Sequence, residues 1–490
     1  MRKTVAIIGA GLGGLSAAIT LAYNGYQVKV FEKNSHAGGK LVGVTSGSYN
    51  FDFGPNTITM PHVFRSVIEE TNVDPNDYFT FLKLETHTRN HFHDGTSFEM
   101  STSSEAIVEQ LSRLDPYAAR KFPEYLAETK RIYELANDQF FYRSFASFKD
   151  YLAPDLTKAF FKVRPFQSLD RFHQNYFHNE QIIKAFNRYA TYIGSSPYLT
   201  PATFSLITYL ELVDGVFFAK GGNKTIADGF LKRAEELGVE FFFNTTVKKI
   251  HTKNKLATAL TLANGEMIEA NYIIANGDLI TTYKNLLSES ERPHFRDKKI
   301  DKLEPSISAF VLLVGLKKRL PNLIHHQVYF GANYKQEFVD IFTKGNYSLD
   351  PTIYICNSSY TDPTLSPDGD NLFILVNAPA TSRDGSLQVN PQQYKQRIYQ
   401  ILEEKGLSLK DHIAFEEVIT PLDIQNKFFA HRGALYGLAS NRMLNAFLRP
   451  ANRSKDIENV YFCGGSTHPG GGSPMVVISG QNVAKQIINI

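Results

Sequence analysis

Gly9, Gly11 and Gly14 stand in the spacing G-x-G-x-x-G, and Glu32 follows 18 residues after the last of them. The first glycine permits a tight turn, the second lets the backbone approach a pyrophosphate, and the third lets a helix pack closely on a strand. A helix starting there offers free N–H groups and partial positive charge to phosphates. An acid closing the next strand is placed to accept hydrogen bonds from a ribose. Glu32 disfavours the 2′-phosphate of NADP and leaves FAD and NAD both open. A candidate proton carrier is His468, in the glycine-rich tail 464–474; the alternative is that it only hydrogen-bonds backbone there. Arg432 is a second candidate, either facing the cofactor or a channel or held in a structural salt bridge. His325-His326 reads as structural, because two adjacent side chains diverge, and no metal site is expected.

The elements that must position these residues are legible at the N-terminus. Thr4 to Ile8 reads as a strand, Leu15 to Asn24 as a helix stopped by Gly25, and Gln27 to Phe31 as a second strand: a complete βαβ unit. Further along, Ala106 to Leu111 has a helical period. Ile226 to Leu237 reads as a helix and Val239 to Phe243 as a strand. Ala263-Asn264-Gly265 suits a hairpin with a type I′ turn. Tyr272 to Ala275, Ala309 to Leu316, Leu372 to Val376 and Val460 to Cys463 read as strands, Pro391 to Lys405 and Met475 to Ile488 as helices.

The whole chain has 490 residues, enough for two or three domains. Its net charge of +3 excludes wholesale nucleic-acid binding. Cys356 and Cys463 are too far apart, and lack the spacing, for a disulfide scaffold or zinc framework. No apolar run reaches the ~20 residues of a spanning helix. The apolar start, Val5 to Leu21, is broken by glycines and is not a signal peptide, which points to the cytoplasm. Aromatics are the skewed class, with 37 Phe and 25 Tyr but no Trp. Many fall at 138–180, from Phe140 and Phe141 through Phe148, Tyr151, Phe161 and Phe166 to Phe177, interleaved with Arg143, Lys149, Lys158 and Lys162. This stretch reads either as an amphipathic membrane-docking segment or as a helical lid with a phenylalanine core.

His36-Ala37-Gly38-Gly39-Lys40 resembles the extension of the FAD motif in amine-oxidase-like flavoproteins, which selects FAD over NAD. Asp52 to Thr57, Phe218 to Gly222, Tyr272 to Asn276 and the tail Gly464 to Gly472 resemble the carotenoid desaturase and oxidase flavoproteins, end to end. Within that family the similarity is to the bacterial C30 branch. Tyr192 to Ser196, Leu323 to His326, Arg432 to Gly437 and Gly470 to Met475 look more like its terminal-methyl oxidases, and Gly471 stands where the desaturases usually have alanine.

By that resemblance Gly9, Gly11, Leu12, Gly14, Glu32, Lys33, Gly39 and Lys40 hold the ADP half of FAD, with Gly54 and Pro55 nearby. Val247 meets the adenine edge; on its own it would be an ordinary strand residue. Ala275 and Asn276 end a strand near the pyrophosphate. Gly464, Gly465, Pro474, Met475 and Val476 surround the flavin. The implied fold is α/β, with a discontinuous Rossmann-like FAD domain from residues 1–76, 219–292 and 455–490. A substrate sheet would come from 77–105 and 293–454, and a helical membrane-facing part from 106–218. The implied activity is oxidation of the terminal methyl groups of an apolar C30 carotenoid at a membrane surface, with O2 or a quinone as acceptor. The alternatives are a desaturase and a flavin-dependent carotenoid isomerase.

Overall fold

The computed structural model describes residues 2–145, 150 and 153–490. Phe148, Lys149 and Tyr151 of the aromatic stretch lie outside the described residues.

Strand Thr4–Ile8 runs directly into helix Leu12–Tyr23, and the chain returns as strand Gln27–Phe31. The helix begins three residues earlier than its alanine-rich segment suggests, because Gly13 and Gly14 belong to its first turn. A Cβ on Gly14 would lie 2.4 Å from the carbonyl oxygen of Gly9, so only glycine lets the helix start this close to the strand. It ends in a Schellman motif: Gly25 N–H donates to Ala22 O, Tyr26 N–H donates to Leu21 O, and Gly25 has φ +85°.

These strands lie in a five-stranded parallel sheet ordered Val460–Phe462, Tyr272–Ala275, Thr4–Ile8, Gln27–Phe31, Glu240–Phe242. The closing helix Ser473–Ile488 packs on Leu12–Tyr23, and Ser16 Oγ donates to Val477 O at 3.0 Å. An antiparallel three-stranded sheet, Val247–Lys253, Leu256–Leu262 and Met267–Glu269, packs beside it. Its hairpin is not type I′. Asn264 is absent from the positive-φ residues and only Gly265 (φ +89°) adopts that region, as in a three-residue loop with a left-handed glycine.

A seven-stranded sheet runs in the order Ile413–Ile419, Ser308–Leu316, Asn371–Ala378, Ile353–Asn357, His326–Tyr329, Thr86–His91, Ser97–Ser101. All neighbours are antiparallel except His326–Tyr329 with Thr86–His91. Helices Ser104–Leu114 and Pro116–Ala136, with shorter ones to Asp214, cover its far end around buried Phe122, Tyr125, Phe172, Phe177 and Phe186. The aromatic stretch therefore divides. Phe145, Phe172 and Phe177 are core, whereas Phe161 and Phe166 are 63% and 69% exposed. No described helix is long and apolar enough to cross a membrane.

Candidate functional site

Two uncapped helix N-termini, from opposite ends of the sequence, face one cavity of about 430 Å³. Neither Gly11 nor Gly472, the N-cap residues of Leu12–Tyr23 and Ser473–Ile488, has a side chain to satisfy the first-turn amides. Gly9, Gly11, Leu12, Glu32, Lys33 and Val247 line the cavity together with Gly471, Gly472, Ser473 and Val476. Gly39, Lys40, Gly54, Pro55, Asn276, Gly464 and Gly465 also line it. Gly14 and Ala275 stand behind its wall, and Pro474 and Met475 face an adjoining second cavity.

The Glu32 carboxylate is fixed by backbone donors: Ala10 N–H at 2.9 Å to Oε2 and Asn34 N–H at 2.8 Å to Oε1. Asn276 is wedged under the glycine turn. A Cβ on Gly11 would meet its Nδ2 at 2.7 Å, and that Nδ2 donates to Gly9 O at 3.3 Å. Lys40 is half-buried, donating to Leu435 O at 2.7 Å; desolvation pushes its pKa down to about 8, with Asp278 opposing. A cation so poorly solvated favours an anionic ligand. Lys33 stacks its ammonium 3.5 Å from the Phe429 ring centre and donates to Asn426 O, tying 426–429 to the cavity mouth.

Within its motif Asp52 itself lines neither cavity and holds the backbone in place. Its carboxylate accepts N–H bonds from Asn223 (2.7 Å) and Lys224 (3.0 Å), at the start of helix Lys224–Glu236. Asn223 in turn donates to Pro55 O and Asn56 O. Gly54 needs its left-handed φ of +126°, and a Cβ there would lie 2.1 Å from Lys40 O.

The second cavity, about 240 Å³, shares Gly54, Pro55, Leu435, Tyr436, Gly471 and Gly472 with the first. Beyond that junction it is walled by Met60, Ile193, Phe204, Leu206, Ile207, Leu210 and Val328, with Tyr192, Tyr334 and Tyr354. No described Asp, Glu, His or Lys lines it; its charges are Arg188 and Arg449. Tyr436 was quoted in sequence only as part of a segment. Here it abuts both Gly194 and Gly471: Cβ atoms on them would meet its ring at 2.6 and its Cβ at 2.9 Å. Burial pushes its pKa up to about 12.

Both candidate catalytic residues sit elsewhere. His468 is buried with Nε2 donating to Phe140 O at 2.8 Å, and burial pushes its pKa down to about 4. It lines neither cavity, because the tail turns its backbone glycines inward instead. Arg432 is also outside both: its Nε donates to Thr381 O at 2.6 Å, bracing a turn. The divergence expected of His325-His326 is corrected too, since their ring centres are 4.5 Å apart. His325 precedes strand His326–Tyr329 and escapes the alternation of the pleat. Arg449, Asp278, Phe429 and Tyr436 went unnamed in sequence, having no motif of their own.

A parallel sheet with a glycine turn, an acid at the second strand and a cavity faced by two bare helix N-termini defines a dinucleotide-binding protein, and the residues present fit FAD. The chain belongs to the flavin containing amine oxidoreductase family, which it matches over residues 12–488, and is an FAD-dependent oxidoreductase. Among named relatives it is 35% identical to 4,4′-diapolycopene oxygenase of Methylomonas sp., over 99% of this chain and 98% of that one. It is 36% identical to 1-hydroxycarotenoid 3,4-desaturase of Flavobacterium sp. strain P99-3 (100% and 99%) and 32% identical to 4,4′-diaponeurosporene oxygenase of Staphylococcus aureus strain MRSA252 (99% and 98%). Solved structures share the fold: an oxidoreductase from Methanosarcina mazei (TM-score 0.68, 16% identity, 98% and 100% covered) and cyclohexylamine oxidase from Brevibacterium oxydans (0.63, 15%, 100% and 99%).

Proposed function

We propose that this chain is a carotenoid oxygenase that converts terminal methyl groups of a C30 diapocarotenoid to aldehyde or acid. The observation that carries the substrate class is the junction of the two cavities at Tyr436 and Gly471: an apolar, aromatic-walled space opens directly onto the FAD space. The oxygenase reading comes from the full-length relatives. Bound FAD supplies two-electron redox chemistry at its isoalloxazine ring. The protein's part is positioning and exclusion of water, because among the described residues the second cavity is lined by no Asp, Glu, His or Lys. Electrons pass to O2 or to a quinone, the chain having only one G-x-G-x-x-G.

A polyene this apolar resides in a bilayer, and we assign the membrane-facing surface to the patch where Phe161, Phe166, Leu199 and Leu444 are each at least 56% exposed. Exposed Lys158 and Lys162 flank it, giving the amphipathic character of an interfacial surface. The desaturase reading is kept as the second one, because the desaturase relative is as similar as the oxygenases.

Products from FAD-loaded enzyme in liposomes, given diapophytoene or diaponeurosporene separately under 18O2, distinguish the readings by mass spectrometry. Gain of 18O from diaponeurosporene is the expected result. Loss of hydrogen from diapophytoene, with no oxygen gained by either substrate, replaces the oxygenase with a desaturase.

Arg449 carries a further expectation. Its guanidinium is buried and donates to Ser440 Oγ at 2.9 Å, with Leu438 O and Gly465 O at 3.4 and 3.5 Å, and no described carboxylate pairs with it. Burial pushes its pKa down to about 10, so it remains a cation at neutral pH, packed against Gly470 of the glycine-rich tail. Such a charge favours the more negative, reduced cofactor. Arg449→Met is expected to lower the midpoint potential of bound FAD by about 30 mV, equivalent to ~1.4 kcal/mol for two electrons, with Arg449→Lys recovering part of the shift. An unchanged potential in both would show that the charge is not felt at the cofactor.

A further inference from the structure

Away from the FAD cavity, His325, His326 and Cys356 bring one ligand atom each to within 4.8 Å of one another, and all three are buried. The sheet explains the meeting. His326 is the register partner of Cys356 across an antiparallel pair, which puts both side chains on one face. His325, just before the strand, turns its ring edge-on to His326, with 76° between the planes.

Each imidazole is oriented by its Nδ1: His325 against Thr361 Oγ1 at 2.6 Å, His326 against the Tyr354 hydroxyl at 2.9 Å. Each leaves Nε2 with no protein partner. A buried polar atom left unpaired costs ~1–3 kcal/mol, so two in one place call for a missing partner. A hydroxyl that accepts Nδ1–H leaves the lone pair on Nε2, and this outer hydrogen bond is how metal-binding histidines are held.

We propose that His325, His326 and Cys356 form a binding site for a borderline-soft divalent cation of the zinc class, its fourth position taken by water. Two nitrogens and a sulfur select such an ion over Mg2+ or Ca2+, which take oxygen. Zn–N and Zn–S bonds of ~2.0 and ~2.3 Å place tetrahedral ligand atoms about 3.5 Å apart, so small rotations of the side chains close the site. On binding, the Cys356 S–H bond breaks, a sulfur–metal bond forms and the proton leaves to solvent; no electron is transferred. Tyr354, Thr352 and Val328 line the second cavity, so the ion clamps two strands of that cavity's wall.

Elemental analysis of the purified holoenzyme is expected to find about one zinc per chain. Metal-stripped holoenzyme titrated with Co(II) is expected to show tetrahedral ligand-field absorption to the red of the flavin bands. Cys356→Ser and His325→Gln, checked for unchanged FAD content, are expected to weaken Co(II) binding by at least about 100-fold, beyond the loss typical of an outer-shell change. His325→Gln leaves the strand pair untouched and serves if Cys356→Ser does not fold. Substoichiometric zinc with no tetrahedral cobalt spectrum, or equal Co(II) binding by folded variants, assigns the unpaired nitrogens to buried water and overturns the site. Neither result depends on which carotenoid the enzyme converts.

Discussion

Gly480→Ala is expected to yield a chain that retains little FAD and unfolds at lower denaturant than the parent. Helix propensity alone argues the opposite, since alanine in a helix interior is worth ~1 kcal/mol more than glycine. The contact decides. A Cβ at position 480 would lie 2.1 Å from the carbonyl oxygen of Gly13 and 3.1 Å from the amide nitrogen of Ala17. Both are backbone atoms of helix Leu12–Tyr23, so no rotamer change relieves the clash and the two helices must separate by roughly 1 Å. Overpacking costs ~1–3 kcal/mol, occasionally more, and backbone against backbone belongs at the upper end. The functional loss follows from which helices these are: the N-terminus of each faces the FAD cavity. Urea unfolding and the ratio of flavin to protein absorbance measure the two effects. A stable, fully flavinated Gly480→Ala variant would mean that the helices do not approach as closely as 2.1 Å implies.

Legibility followed the locality of the physical signal. The βαβ unit, its glycine turn and Glu32 are contiguous in sequence, and each residue type there answers to one steric or hydrogen-bonding demand. The adjacent parallel strands Tyr272–Ala275 and Val460–Phe462 are apolar and short, which also reads directly. Strand His326–Tyr329 does not: His326 and Gln327 look exposed, yet all four residues are buried. Their burial comes from strands far away in the chain, Thr86–His91 and Ile353–Asn357, and no local pattern records it. Gly480 is likewise invisible, being one glycine in an amphipathic helix until Gly13 is placed against it. His468 misled for the converse reason. Its neighbours form a ligand-facing motif, but the side chain is committed to Phe140 O, 328 residues earlier in the sequence.

Ile207→Trp is expected to cut polyene conversion by about 100-fold while leaving FAD retention unchanged, a loss of the size that misplacing a substrate by ~1 Å produces. Ile207 lies on the short helix Leu206–Tyr209 and lines the second cavity but not the first. An indole there enlarges a side chain that borders a space of about 240 Å³, whose lining also includes the buried strand residue Val328. Because the polyene is a stiff rod, filling one point of its path keeps its reacting end from Tyr436 and the FAD junction. The chain contains no tryptophan, so the substitution also installs a single indole, which can be excited to the red of the tyrosines. Blue-shifted emission establishes that the indole is inside the cavity, and flavin absorbance establishes that the cofactor is bound. With both controls satisfied, unchanged turnover would place the polyene outside this cavity and sever the link between the two spaces on which the proposed function rests.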